Sequence, residues 1–114
     1  MVPSAAGAVV LVPFPFSDLS RAKMRPAVVL AEAGRDDWIF CQITSNPYGD
    51  ARAVQLIDDS FAAGSLRVTS YARPGKLFTA NQDLIVTQVG GLKVEPFGQI
   101  VEAVVRILRA SLSK

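Results

Sequence analysis

The chain contains no histidine and a single cysteine, Cys41, in 114 residues. The first absence removes imidazole general bases, Ser-His-Asp chemistry and every metal site that needs a histidine ligand. The second rules out an internal disulfide, and a lone cysteine with no histidine to join it cannot build a structural zinc site. Excess charge of one sign is also lacking: 12 Lys and Arg stand against 10 Asp and Glu, a formal net charge of +2. So small a surplus identifies no polyanionic partner, and the placement of the cations has to decide. No apolar run approaches the roughly 20 residues that span a bilayer. Residues 1–7 are small and uncharged, without the basic start and long apolar core of a secretory leader. Together these absences imply a reducing, cytoplasmic setting, with no membrane segment, no metal and no cofactor.

What is present suits one domain over residues 1–114. Half of the residues are hydrophobic and 19% are charged, enough to bury a core and too apolar for disorder. Residues 8–12 form a valine-rich run that leads into Pro13-Phe14-Pro15-Phe16, where alternate prolines suit an edge strand. Residues 17–24 form a polar, basic loop. Residues 26–33 and 38–44 read as strands separated by the turn signal Gly34-Arg35-Asp36-Asp37. Asn46-Pro47-Tyr48-Gly49-Asp50 is a further loop. Short extended segments follow at residues 53–57, 66–71, 77–79 and 84–89. A turn with one helical turn occupies 58–64, and Arg73-Pro74-Gly75-Lys76 and Gly90-Gly91 mark breaks. Phe97, Ile100, Val101, Val104, Ile107, Leu108 and Leu112 recur at helical spacing, which predicts an amphipathic helix from about 96 to 112. Many short strands followed by one helix point to an α+β domain or a small barrel.

Three groups of residues can carry chemistry. Arg21, Lys23 and Arg25 alternate in the basic loop, and Arg25-Pro26 opens a strand. A guanidinium held at a sheet rim can grip a phosphate with two parallel donors. Gln42-Ile43-Thr44-Ser45 ends a buried strand, and its adjacent hydroxyls can bond a phosphate oxygen or a ribose hydroxyl. Tyr71-Ala72-Arg73-Pro74-Gly75-Lys76 interleaves aromatic and basic residues, as do surfaces that stack bases and track the phosphates of single-stranded RNA. By spacing alone, a solvated loop and a turn cap account for the first two groups at least as well. Trp38 and Phe40 read as core and Asp36-Asp37 as a solvated turn. Ser65 and Ser70 have no histidine to activate them.

Taken in order, GAVVLVPFPFSD (7–18), RPAVVL (25–30), CQITS (41–45), GSLRVTSYARPGKLFT (64–79) and LIVTQVGGL (84–92) resemble the MazF/PemK toxins of type II toxin–antitoxin systems. The resemblance covers most of the chain. It implies a mainly β fold, an SH3-like β-barrel of the CcdB/MazF/PemK type with a C-terminal α-helix, and a homodimer. It also implies metal-independent cleavage of single-stranded RNA, usually mRNA, at short motifs. The ribose 2′-hydroxyl is the nucleophile, and the products carry a cyclic phosphate and a 5′-hydroxyl. A cognate antitoxin would neutralise the toxin and bind DNA together with it. Carried over by motif, the catalytic arginine falls on Arg25 and the catalytic hydroxyl on Thr44. RNA contacts fall on Ser17, Asp18, Lys23, Ser45, Tyr71, Arg73 and Lys76.

The chain departs from the family pattern in two places. Where some members carry an Arg-x-x-Asp pair, Arg73 or Lys76 is followed by Thr79 and no aspartate. The first loop has no histidine, which leaves Asp18 as the nearby carboxylate that can act as a base. Two other readings stay open. One is a non-enzymatic gyrase poison of the same fold, whose C-terminal aromatic is missing from Ala110-Ser111-Leu112-Ser113-Lys114. The other is a catalytically inactive RNA- or antitoxin-binding module.

Overall fold

β-Branched side chains restrict the backbone to extended conformations, and the valine-rich runs accordingly fold as strands. The computed structural model describes residues 2, 3, 5–14 and 23–113. It contains β1 (Ala8–Phe14), β2 (Lys23–Gly34), β3 (Asp37–Thr44), β4 (Val54–Leu56), β5 (Phe61–Gly64), β6 (Ser70–Asn81), β7 (Thr87–Leu92) and helix α1 (Val94–Ala110). The strands make one antiparallel sheet in the order β4-β6-β3-β2-β1-β7-β5. The sheet curls on itself, because Leu56 and Phe61, from its two edge strands, lie in one buried cluster. A single 3-10 turn, Asp58–Ser60, joins those edges. The fold is thus mainly β with a C-terminal helix, as expected, in the form of a curled half-barrel.

Both faces of the central strands are covered, which is why their sequences read as continuous apolar runs. One face presents Val9, Val28, Cys41, Ile43, Leu56, Phe61 and Ala72, packed with Ile100 of α1 and flanked by Phe97. The other presents Ala8, Val10, Val12, Ala27, Val29 and Phe40, packed with Ile85 and flanked by Trp38, Phe78, Ala80 and Leu84. Helix α1 has Pro96 and Glu95 in its first turn and Arg109 in its last, placements that suit the missing proline N–H and the helix dipole. Among the described residues no helix is long and apolar enough to cross a membrane.

The pairing of β3 with β6 is irregular in one place. Cys41 pairs with Leu77 and Ile43 with Ala72, so Gln42 alone stands opposite the four residues Arg73 to Lys76. The three-residue shift is odd, and it inverts which side chains of β6 face which side of the sheet. Ala72 therefore faces the helix side, whereas Phe78 and Ala80 face the other.

Several boundaries differ from the sequence reading. β6 runs through Arg73-Pro74-Gly75-Lys76, because the four residues bulge from the strand without ending it. Gly90 and Gly91 lie inside β7. A Cβ on Gly90 would stand 2.7 Å from the Ala63 carbonyl oxygen, so the glycine permits close approach of β5. β5 itself was expected to be turn, since its sequence FAAG carries no strand signal. β2 begins at Lys23, three residues before Pro26. Pro26 sits where β2 pairs with β1 alone, before the β3 ladder starts at Ala27, and its missing N–H is tolerated there. The helix begins at Val94 and ends at Ala110.

Gly64 and Gly34 test how much of this fit is steric. Both have left-handed φ, +68° and +91°, but a Cβ on Gly64 would meet the Val89 carbonyl oxygen at 2.1 Å, whereas one on Gly34 meets nothing within 4 Å. Gly34→Ala should cost about 1 kcal/mol of conformational strain. Gly64→Ala should cost about 3 kcal/mol, because it also forces β5 from β7. Urea unfolding midpoints at constant slope measure both.

Candidate functional site

The second face of the sheet turns polar at one end. Along β3 it reads Trp38, Phe40, Gln42, Thr44, along β2 it reads Val29, Ala27, Arg25, and along β1 it reads Val10, Val12, Phe14. Val12 pairs with Arg25, and Ala27 pairs with Gln42. Continuing the β2–β3 register by two residues sets Arg25 across from Thr44. The bulge in β6 adds Arg73 and Lys76 from the other side of β3. The result is a cavity of about 450 Å3 lined by Phe14, Arg25, Gln42, Thr44, Tyr48, Arg73, Lys76, Leu77 and Phe78. Its wall is aromatic: Phe78 lies edge-on to Phe14 with centroids 5.3 Å apart and stacks on Phe40 at 5.1 Å.

Each polar side chain is placed by local chemistry. Arg25 is half-buried, with its Nε shielded from solvent. The Thr44 hydroxyl donates to the Asn46 carbonyl and accepts from the Asn46 amide, each at 3.1 Å. The turn-cap role of Thr44 is therefore present in the structure, and the same residue lines the cavity. The Tyr48 amide donates to Asn46 Oδ1 at 2.9 Å, and Tyr48 has a left-handed φ of +52°. Arg73 Nε donates to Asp50 Oδ2 at 3.1 Å, and its guanidinium carbon lies 6.0 Å from the centroid of the Tyr48 ring. The amide of Arg52 donates to Asp50 Oδ1 at 3.0 Å. That amide, together with the Arg73 side chain, holds the Asp50 carboxyl below its ordinary value.

The bulge that delivers Arg73 is pinned from beneath. Cys41, fully buried, donates its thiol to the Arg73 carbonyl at 3.2 Å. Pro74 in the bulge is buried too. Burial pushes the Cys41 thiol from its ordinary 9.0 up to about 12, and the Asp50 carboxylate adds to the rise. The thiol thus stays protonated and able to donate.

The structure brings together four of the residues singled out in the sequence: Arg25, Thr44, Arg73 and Lys76. Lys23 is exposed at the start of β2, Ser45 is exposed beyond Thr44, and Tyr71 pairs with Thr44 and Gln55 without lining the cavity. Ser17, Asp18 and Arg21 lie outside the described residues. Phe14, Gln42, Tyr48, Leu77 and Phe78 line the site without having been assigned to it. Gln42 had a signal, since it shares a face with Thr44, but the bulge that opens the space above it did not. Among the described residues no group of three or more Cys, Asp or Glu side chains is gathered as a metal site.

A curled antiparallel sheet with one C-terminal helix defines a class of architecture. Among solved structures, that architecture is the fold of the MazF toxins. No family model matches the chain, and no curated protein matches its sequence significantly. A MazE–MazF crystal structure from Deinococcus radiodurans superposes with a TM-score of 0.75 at 19% identity, over 95% of this chain and 97% of that one. A mycobacterial endoribonuclease in complex with its cognate antitoxin superposes with a TM-score of 0.70 at 13% identity, over 95% of both chains. The Mycobacterium tuberculosis toxin MazF-mt6 gives 0.67 at 18% identity, over 89% of this chain and 95% of that one. The resemblance to MazF and PemK toxins read from the sequence therefore extends to the fold of nearly the whole chain.

The raised pKa of Cys41 has a thermodynamic consequence. A protonated native thiol against an ionised unfolded one makes stability fall as pH rises above about 9, by at most about tenfold in the folding equilibrium per pH unit. Below pH 9 the contribution is complete. The stability advantage of the wild type over Cys41→Ala should therefore shrink across this interval, as measured by urea unfolding at pH 8, 9 and 10. At pH 8 the native thiol should resist alkylation.

Proposed function

We propose that the chain is a toxin endoribonuclease of a toxin–antitoxin system, cleaving single-stranded RNA with Arg25 and Thr44 at its centre. One observation carries this reading. Three cationic side chains, Arg25, Arg73 and Lys76, converge on a single cavity with no acidic residue among its described lining, in a chain whose formal net charge is only +2. Such a cavity fits the phosphodiester backbone, and its aromatic wall fits the bases attached to it.

The reaction needs no redox change. The ribose 2′-oxygen bonds to the adjacent phosphorus while the bond from phosphorus to the 5′-oxygen breaks. The 2′-hydroxyl proton leaves to a base, and the departing 5′-oxygen takes up a proton. The products are a 2′,3′-cyclic phosphate and a 5′-hydroxyl. Negative charge grows on the non-bridging oxygens, and a fixed guanidinium stabilises it most where solvent is excluded. The guanidinium of Arg25 is too weak an acid to act as the main proton donor, so its role is electrostatic. Thr44 can turn its O–H from the Asn46 carbonyl to a phosphate oxygen while still accepting from the Asn46 amide. Asp50, already bonded to Arg73 and Arg52, is a poor base, and Asp18 is our candidate for that role.

The partners follow from the same cavity. An antitoxin would neutralise the toxin by laying a segment with acidic side chains across Arg25, Arg73 and Lys76, in competition with RNA. A homodimer is part of the proposal.

Arg25→Ala should lower the cleavage rate by about 100- to 1000-fold or more with the fold retained by circular dichroism. Thr44→Ala should be clearly impaired but less so. Cleavage of a long RNA in EDTA, with end-group analysis, reads both; wild-type rates in Arg25→Ala would remove Arg25 from the site. With three cations engaged, the logarithm of RNA affinity should fall with that of salt concentration at a slope of about −2, and Lys76→Gln should flatten it by about 0.7.

A further inference from the structure

Tyr48 is an exposed aromatic held in a fixed place. It is 74% exposed, far more than a structural tyrosine requires. Yet its backbone is locked: the amide is bonded to Asn46 Oδ1, and the Asp50 amide two residues on donates to the Pro47 carbonyl at 2.9 Å. Behind the ring lies the Arg73 guanidinium, 6.0 Å from the centroid, which Asp50 restrains through its bond to Arg73 Nε. The ring lines the cavity that holds Arg25 and Thr44. It also lines a second cavity of about 270 Å3, shared with Asp50, Arg52, Gly75 and Ile107. It therefore stands on the wall between two hollows, with cations on both sides.

Resting on the endoribonuclease reading above, we propose that Tyr48 is a specificity-determining stacking platform for one nucleobase flanking the phosphate held at Arg25. A flat ring exposed to water recovers free energy when a base covers it, and the bases differ in stacking strength, the larger purine faces recovering the most. Rigidity is what turns such a contact into positioning: a base stacked on a fixed ring sets the register of the strand, and hence which phosphate reaches Arg25. Arg73 and Asp50 are positioning residues in this arrangement. They support the ring from the side away from the base, and Arg73 meets the next phosphate along the strand. The second cavity, with Arg52 at its rim, receives the continuation of the chain.

The test uses the intact protein and a short single-stranded RNA carrying one mapped cut site, with copies made abasic at each flanking nucleotide in turn. Tyr48→Ala should raise KM by about 10- to 100-fold with kcat little changed, while Tyr48→Phe and Tyr48→Trp stay near wild type. One abasic position should weaken wild type by a similar factor and Tyr48→Ala hardly at all. The ends cut from a mixed RNA pool should lose base preference at that position in Tyr48→Ala. An unchanged KM and unchanged preference in Tyr48→Ala, with wild type cleaving RNA, would overturn this inference alone. If wild type cleaves no RNA, fluorescence anisotropy with the mixed pool decides. Binding weakened by Tyr48→Ala and restored by Tyr48→Phe keeps the platform and overturns the nuclease reading; no binding at all overturns both.

Discussion

Between β3 and β6 the ladder slips by three residues, and Gln42 faces a four-residue bulge where one partner would ordinarily stand. Much of the molecule depends on that slip. Because the shift is odd, Ala72 packs under the helix while Phe78 and Ala80 pack on the opposite face, so one strand serves both clusters of the core. The displaced residues Arg73 to Lys76 swing over the end of the second face and close one side of the cavity. Such a bulge survives only if its inner groups are satisfied. Pro74 is buried and brings no amide hydrogen to satisfy, and the Cys41 thiol serves the Arg73 carbonyl. Cys41 is thus a structural donor, and its burial makes it unreactive.

The same geometry explains how a nearly neutral chain concentrates positive charge. Arg25 and the pair Arg73 and Lys76 come from two distant parts of the sequence and meet at the rim of an aromatic wall. Attraction to an anion is stronger beside such a wall than in open water, because less solvent screens it. Asp50 neutralises part of Arg73 yet also fixes its direction, leaving its remaining guanidinium donors for a ligand. By contrast, the Lys93–Asp59 pair at 3.2 Å lies largely in solvent and contributes little to either stability or the site.

Much of this was legible in the chain itself. Valine-rich runs marked β1 and β2, an aromatic and β-branched run marked β3, helical spacing marked α1, and the ordered segments from residue 7 to 92 carried the resemblance in fold. Arg25 and Thr44 were legible as candidates because each lies at the polar end of an apolar strand. Other features were not. Tyr48 sits in a loop whose turn residues say nothing about where its ring projects. β5 has too few side chains of strand character to be read, and it pairs with β7 because Gly64 and Gly90 let the two backbones close. Tyr71 looked like a partner of Arg73 and Lys76, but the bulge carries those cations to the cavity while Tyr71 stays beside Thr44 in the ladder.

The elements and the chemistry on hand are written along the chain: an extended, valine-rich core, one amphipathic helix, cations and hydroxyls but no imidazole. These are local properties, set by side-chain shape, hydropathy period and composition. Which of them meet is settled by folding. Strand register is fixed by packing across the sheet, not along the chain, and a slip of an odd number of residues exchanges one face for the other. That slip joined Arg73 and Lys76 to Arg25 and Thr44, beside the ring of Tyr48.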